Sequence, residues 1–365
     1  MQYVYLINTV STSWGEPPRS RHQVALALAK NNEVIFVGRN EVGKRRLDIR
    51  KEGGSLTVIT PYFPVDYRIR YRLPLLNEYY QNWLYKMLVK FLQVREGLRV
   101  INFDFTATQI YKYFEDVIYY CNDDPLVQVN KDMFFLPYYA YCEKKIIKLS
   151  RFVVVVSDYL MKAKRSEKTF LIYLGAGDAG FSPCGQQSVL PRGAEGVVLN
   201  CMGFILSYTL EMGWIRRIAL EFPLWEIDLV GTIDDRSLKM VKVIENIKLF
   251  GPQYGKTLVE TVLRCNVAII PYKNNRRMRT CSANNKYWQY LAMGKPVVYR
   301  RLPYLLDVPE YLMYKAETYE EFKKKIMNAI NEDNDVFRKK RREFALNNSW
   351  DRRVEELLEI YNKIQ

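Results

Sequence analysis

Lys286 enters a short amphipathic stretch, Asn285-Lys286-Tyr287-Trp288-Gln289-Tyr290-Leu291-Ala292-Met293, that follows a strand-like run and a polar loop and stops at Gly294. A lysine in the first turn of a helix lies where free backbone N–H groups and the helix dipole favour an anion, so the pattern predicts a phosphate site. Ser282 and Asn284 are placed to donate hydrogen bonds nearby, and Arg276, Arg277, Arg279 and Thr280 make the approach basic. The same residues also read as an ordinary amphipathic helix with a solvated lysine, a solvated arginine loop and Gly294 as C-cap.

A second group with chemical capacity lies early in the chain, in Trp14-Gly15-Glu16-Pro17-Pro18-Arg19-Ser20-Arg21-His22. His22 has the only side chain of the chain whose ordinary pKa lies near neutrality, so it is eligible as a general base; it equally fits a first-turn helix residue that satisfies local backbone. Asp104 and Asp123, each after a strand-like run, are the other acid–base candidates, whereas Asp124 precedes Pro125 and reads as a turn. The only D-x-D triplet, Asp333-Asn334-Asp335, sits in a polar segment between late helices and also reads as a turn. No metal site is expected from it.

The elements that must hold these residues alternate. Strand candidates in the first half are Tyr3 to Asn8, Val34 to Val37, Leu56 to Thr60, Val100 to Phe103, Val117 to Tyr120, Phe152 to Ser157 and Phe170 to Tyr173. Those in the second are Val197 to Met202, Glu226 to Val230, Ile247 to Phe250, Val267 to Pro271 and Pro296 to Tyr299, with turn glycines at Gly203, Gly231 and Gly251. Helical patterns between them, among them Met212 to Glu221 and Lys256 to Arg264, predict parallel βαβ units. The expected fold is α/β, with two doubly wound Rossmann-like domains: 1–183, a linker at 184–196, 197–345, and a terminal helix at 346–365 that packs back on the first domain. Ligands of such sheets bind at the carboxyl ends of the strands, which places the expected site in the cleft between the domains. Gly175-Ala176-Gly177-Asp178-Ala179-Gly180 matches G-x-G-x-x-G, but Phe181-Ser182-Pro183 cannot open the helix that a dinucleotide site needs, so these glycines read as a loop.

Composition sets the outer bounds. The chain has 365 residues, 48% of them hydrophobic, and a formal charge of +15, which suits a globular protein that meets polyanions. The basic residues are dispersed and no RRM, KH or zinc-finger pattern occurs, so no nucleic acid is expected. Six cysteines without a C-x-x-C pair read as buried thiols in a reducing compartment. No basic leader and no long uncharged apolar run is found, so a cytoplasmic location is expected. Arg68 to Leu73 and Tyr79 to Phe91 are aromatic, apolar and basic, and allow attachment to an anionic membrane surface, although Tyr and Leu at helical spacing also suit packing on the sheet. The basic run Phe337 to Arg342 reads as a solvated helix face.

The order of these features resembles a GT-B glycosyltransferase of the GT4-like kind, similar to the teichuronic acid and cell-surface polysaccharide enzymes. The resemblance rests on Trp14 to His22, on Tyr119-Tyr120-Cys121-Asn122-Asp123-Asp124, on Val153 to Leu160, and above all on Asn285 to Val298, similar to P-x-K-x-x-E-Y-L-A-x-G-K-P-V-V. It implies transfer of a hexose from a nucleotide-diphosphate sugar to a growing bacterial cell-surface glycan or polyprenol-linked acceptor, with retention of configuration, without metal and with no cofactor besides the donor substrate. Lys286 would meet the diphosphate, with Gly203, Gly231, Gly251, Arg279, Ser282, Asn284 and Gln289 on the donor side. Trp14, Glu16, Arg19 and Arg21 would serve the acceptor side, and His22, Asp104 and Asp123 the chemistry. The chain departs from the pattern at Gln289, where the family has the ribose-binding glutamate, and at Asn284, where it has proline. Two other classes remain open: a catalytically inactive GT-B scaffold, motivated by Gln289, and a basic nucleic-acid-binding protein.

Overall fold

The structure, a computed structural model, describes residues 3–9, 11–93, 97–128, 135–177, 196–280, 285–303 and 308–364. The expected linker at 184–196 falls outside them except for its last residue. Contacts divide the chain into two units, Met1–Tyr173 with Arg353–Gln365, and Leu174–Arg352.

The first unit is built on a parallel sheet of β1 (Val4–Asn8), β2 (Glu33–Val37), β3 (Glu41–Val42), β5 (Leu56–Phe63), β6 (Leu98–Asn102), β7 (Val117–Cys121), β8 (Val153–Val155) and β9 (Thr169–Leu171), in the order β3-β5-β2-β1-β6-β7-β8-β9. One further strand, β4 (Arg46–Lys51), pairs antiparallel with β5. Helices α1 (Ser20–Ala29), α2 (Tyr67–Arg70), α3 (Pro74–Leu92), α4 (Pro125–Gln128), α5 (Leu136–Leu149) and α6 (Asp158–Ala163) connect the strands. The central strands β1, β7 and β8 are buried along their whole length, as the apolar runs of a sheet covered on both faces require. α3 buries Tyr80, Leu84, Tyr85, Leu88 and Leu92 in this core, a stripe with helical spacing.

The second unit carries six parallel strands, β10 (Val198–Met202), β11 (Glu226–Val230), β12 (Ile247–Gly251), β13 (Val267–Ile270), β14 (Val297–Arg300) and β15 (Met313–Ala316), in the order β12-β11-β10-β13-β14-β15. The order reverses beside β10, so the ends of β10 and β13 form the switch point at which ligands of such sheets bind. Its helices are α7 (Met212–Glu221), α8 (Asp235–Val241), α9 (Gly255–Leu263), α10 (Arg276–Arg279), α11 (Asn285–Ala292), α12 (Tyr319–Glu332) and α13 (Asp335–Asn347). The last helix, α14 (Trp350–Lys363), begins in this unit and runs into the first. There its Tyr361 meets Tyr5 edge-on at 6.5 Å and Phe152 at 4.8 Å.

The sequence Gly175-Ala176-Gly177 does structural work of another kind. Ala176 N–H donates to Asn348 O (2.8 Å) and Trp350 N–H to Ala176 O (3.0 Å). A β-carbon on Gly175 would lie 2.9 Å from Asn348 O, so glycine is what lets the two backbones meet. Gly180 lies outside the described residues.

Candidate functional site

The residues that the sequence singled out fall in both units; in the second, Gly203, Gly231 and Lys286 come together, whereas Gly251 and Arg279 are not shown against them. In the second unit Gly203 directly follows β10 and Gly231 directly follows β11, with φ of +104° and +136°. A β-carbon on Gly231 would lie 1.9 Å from Gly203 O, so the two strand ends run against each other and no side chain fits. Above this floor lies Lys286: a β-carbon on Gly203 would be 3.3 Å from Lys286 Nζ. The ammonium also stands 5.1 Å from the centre of the Tyr272 ring.

The position of Lys286 follows from how α11 is fixed. Tyr287, Trp288, Tyr290 and Leu291 are buried. Tyr290 Oη accepts from Met202 N–H (2.9 Å) and donates to Asn200 Oδ1 (2.7 Å), which ties the helix to the end of β10. Tyr287 meets Tyr299 edge-on at 5.6 Å, and Trp288 stacks on Phe344. Lys286 and Gln289 are left half-buried, three residues apart and so on one face. Burial pushes the Cys201 thiol up to about 11, with the Lys286 charge acting against it.

The loop after Gly203 is held by Asp234, which the sequence reading passed over. Its carboxylate accepts from Ser207 N–H (3.0 Å), Ser207 Oγ (2.8 Å) and Ser237 N–H (2.8 Å). Desolvation works against the charge, yet these bonds hold the carboxyl down at about 2. The signal was in the sequence, since Asp-Asp-Arg-Ser ahead of a helical run is an N-cap pattern.

Arg279, at the end of α10, is exposed and its Nε donates to Asn274 Oδ1 just ahead of that helix, while Arg277 stands over Tyr208 at 5.2 Å. Gly251 closes β12 with φ of +59° and open space around it. Ser282 and Asn284 lie outside the described residues. Asp333-Asn334-Asp335 is the start of α13: the Asn334 side chain accepts from Phe337 N–H, and Asp333 pairs with Arg338 and Arg341.

In the first unit the loop after β1 is tied to itself. Glu16 accepts from Ser13 N–H (2.9 Å) and pairs with Arg39 and Arg19, both at 3.1 Å. His22 Nδ1 accepts from Arg19 N–H and Nε2 donates to Ser13 O, both at 3.0 Å, and the ring stacks on Phe36 with Trp14 beside it. Burial pushes its pKa below the ordinary histidine value. Both nitrogens are thus engaged with backbone in this arrangement, as a histidine that satisfies its local main chain would be.

Arg21 and Asp104 differ from these in having buried atoms to spare. Arg21 donates to Thr12 Oγ1 (2.7 Å) and stands 5.9 Å from the Phe103 ring, while its buried Nε has no hydrogen-bond partner among the described residues. Burial lowers its pKa and exposed Asp123 counters this. Asp104 Oδ1 accepts from Tyr71 Oη (2.9 Å), Thr106 N–H (2.8 Å) and Thr106 Oγ1 (2.9 Å), and its buried Oδ2 has no partner among the described residues. Burial raises its pKa against the Thr106 bonds and nearby Arg70. Asp124 accepts from Leu126 N–H, opening the turn, and is paired with buried Lys164.

No protein-family model matches the chain, and no curated protein matches its sequence. Solved structures do match. Sucrose-phosphate synthase from Thermosynechococcus elongatus has a TM-score of 0.70 at 13% identity, covering 100% of this chain and 99% of its own. The catalytic domain of starch synthase IV from Arabidopsis thaliana, bound to ADP and acarbose, has 0.68 at 12%, with the same coverage. HepE from Anabaena, in complex with UDP and glucose, has 0.62 at 13%, covering 99% and 100%. These are GT-B glycosyltransferases, and the chain shares their fold of two Rossmann-like domains.

Proposed function

We propose that this GT-B chain is a glycosyltransferase that moves a hexose from a nucleotide-diphosphate sugar to a growing bacterial cell-surface glycan or its polyprenol-linked precursor. The observation that carries the reading is Lys286, in the first turn of α11, lying over the two side-chain-free strand ends at Gly203 and Gly231. Backbone can approach a diphosphate closely there, while the ammonium and the helix N-terminus supply positive charge. The ADP and UDP bound to two of the structural neighbours support a nucleotide donor.

In this reading the bond between the sugar's anomeric carbon and the diphosphate oxygen breaks, an acceptor hydroxyl oxygen bonds to that carbon and gives up its proton to the departing diphosphate, and the charge that develops on that leaving group is met by Lys286 and the α11 dipole. Such charge neutralisation needs no metal, and metal independence belongs to the proposal. Retention of configuration rests on the resemblance alone. On the acceptor side, the spare donor of Arg21 and the spare oxygen of Asp104 are the groups of the first unit best suited to hydroxyl or anionic partners.

Thermal stabilisation of the purified protein by a panel of nucleotides and nucleotide sugars tests this, run beside Lys286→Ala. A ligand of the folded state adds about 2.7 kcal/mol at a hundredfold excess over its Kd. One diphosphate nucleotide is expected to raise the Tm and the variant to lose the shift; no shift with any of them sinks the proposal. A second reading is favoured by Gln289, an amide where the family has a carboxylate: an inert scaffold would bind the nucleotide and transfer no sugar.

A further inference from the structure

Among the described residues no helix is long and apolar enough to cross a membrane. One surface of the first unit nevertheless exposes large apolar groups among cations. On α2 and at the start of α3, Ile69 is 54% exposed, Leu75 85% and Tyr79 53%, with Leu73 exposed between them. Exposed Arg68 and Arg72 flank this group. Further along α3, Lys86 and Lys90 fall by helical spacing on the side of Leu75 and Tyr79, with exposed Met87 and Phe91 beside them. The helix has a single acidic residue, half-buried Glu78. Tyr and Leu in α3 therefore divide between two roles: Tyr80, Leu84 and Tyr85 fill the core, and Leu75 and Tyr79 face out.

The patch continues onto a second element that the sequence reading did not include. The turn between β3 and β4 exposes Val42, Lys44, Arg45 and Arg46, and Arg45 donates to the Tyr79 hydroxyl, joining turn and helix. The support beneath is buried and hydrogen-bonded. Arg70 is fully buried, donates to Asn40 Oδ1 and to Asn77 Oδ1, and lies 3.8 Å from the Tyr80 ring centre. That anchor turns its neighbours Arg68 and Ile69 outward, so little order has to be gained when the surface docks.

We infer that this face, formed by the β3–β4 turn, α2 and the outer side of α3, docks on an anionic lipid bilayer. Leu73, Leu75 and Ile69 would enter the acyl boundary, Tyr79 would sit at headgroup level, and Arg45, Arg46, Arg68, Arg72, Lys86 and Lys90 would meet lipid phosphates. An apolar patch ringed by cations is complementary to such an interface and to few other surfaces, and long lysine side chains reach the headgroups while their stems stay apolar. The inference deepens the proposed role at a cell-surface acceptor, but it stands on the first unit alone and is measured without sugar transfer.

The test is flotation of the full chain with phosphatidylcholine vesicles, with and without about a third phosphatidylglycerol, at two salt concentrations. Binding is expected to need the anionic lipid and to weaken with salt. Ile69→Glu/Leu75→Glu and, separately, Lys86→Glu/Lys90→Glu are expected to reduce it roughly tenfold or more. All four positions are exposed, so the variants should keep the wild-type melting temperature and any nucleotide-induced shift. The same shift in the variants separates failure here from failure of the donor site. Absence of binding to anionic vesicles, or binding that survives both double variants, overturns the inference, as does loss of binding only on reversing charges of the α13 face, such as Lys339→Glu/Arg342→Glu.

Discussion

Lys286 reaches back over Gly203 so closely that a β-carbon there would lie 3.3 Å from its ammonium and 3.4 Å from its Cε. Gly203→Ala therefore acts twice: it strains a backbone at φ +104° and displaces the lysine. The strain amounts to about 1–2 kcal/mol. Gly231→Ala is more severe, because its β-carbon would overlap Gly203 O and the strand ends would have to part. The expected order is a modest loss of melting temperature with strongly weakened nucleotide binding for Gly203→Ala, and a loss of several kcal/mol, or no folded protein, for Gly231→Ala. Denaturation with calorimetric titration checks it, and equal stability of the two variants would contradict the geometry.

Gln289 shares a helix face with Lys286 and stands where the resembling family has its ribose-binding glutamate. An amide oxygen accepts more weakly than a carboxylate. Gln289→Glu is expected to tighten binding of a ribonucleotide diphosphate by about 1 kcal/mol, near fivefold, and to leave the 2′,3′-dideoxy analogue unchanged or weakened. Titration of both ligands with both proteins is decisive, since a uniform change would report only the added negative charge beside Lys286.

Much of the architecture and less of the site was legible in the residues. β11 and α7 are where the apolar periodicities put them, because their burial is decided locally: a short β-branched run and a 3.6-residue apolar stripe. β4 was invisible for the opposite reason. Its sequence, Arg-Leu-Asp-Ile-Arg-Lys, forms a largely exposed edge strand on β5, where Arg46 stands over the Tyr62 ring and Leu47 packs on the core, contacts that appear only once the two strands pair. Lys286 was readable from the helix-entry pattern, whereas its neighbour Tyr272 becomes relevant only once β13 and α11 pack together. The role of His22 was open in the sequence because its partners, Arg19 N–H and Ser13 O, are main-chain groups that no side-chain pattern announces.

Those bonds give His22 a pH signature. Nδ1 must be unprotonated to accept from Arg19 N–H, and burial opposes the charge, so the folded-state pKa is depressed. The unfolded chain then binds the proton first, and the stability contributed by the neutral ring is present above about pH 6.5 and lost as pH falls below it. His22→Gln is expected to be less stable at pH 8 by about 1 kcal/mol, the worth of a lost hydrogen bond. The gap to wild type should narrow by pH 5. Melting temperatures of the pair across that range test it, and a gap that is constant or widens towards acid would refute the neutral-ring assignment.

Asp228 titrates in the opposite sense. It lies in β11, fully buried, with no hydrogen bond to its carboxylate oxygens among the described residues. Arg264 Nε stands 3.3 Å away, which is ion-pair distance without hydrogen-bond alignment. Burial pushes the carboxyl up to about 7 although Lys248 opposes the shift. The folded state therefore holds a proton that the unfolded chain has released, and the contribution of the neutral acid is present below about pH 4 and lost as pH rises to about 7. Asp228→Asn keeps the shape and cannot ionise. Relative to wild type, the variant is expected to gain stability steadily between pH 4 and pH 7, by about 4 kcal/mol at most. If the difference between the two proteins does not change over that range, Asp228 is ionised throughout, and Arg264 rather than burial governs it.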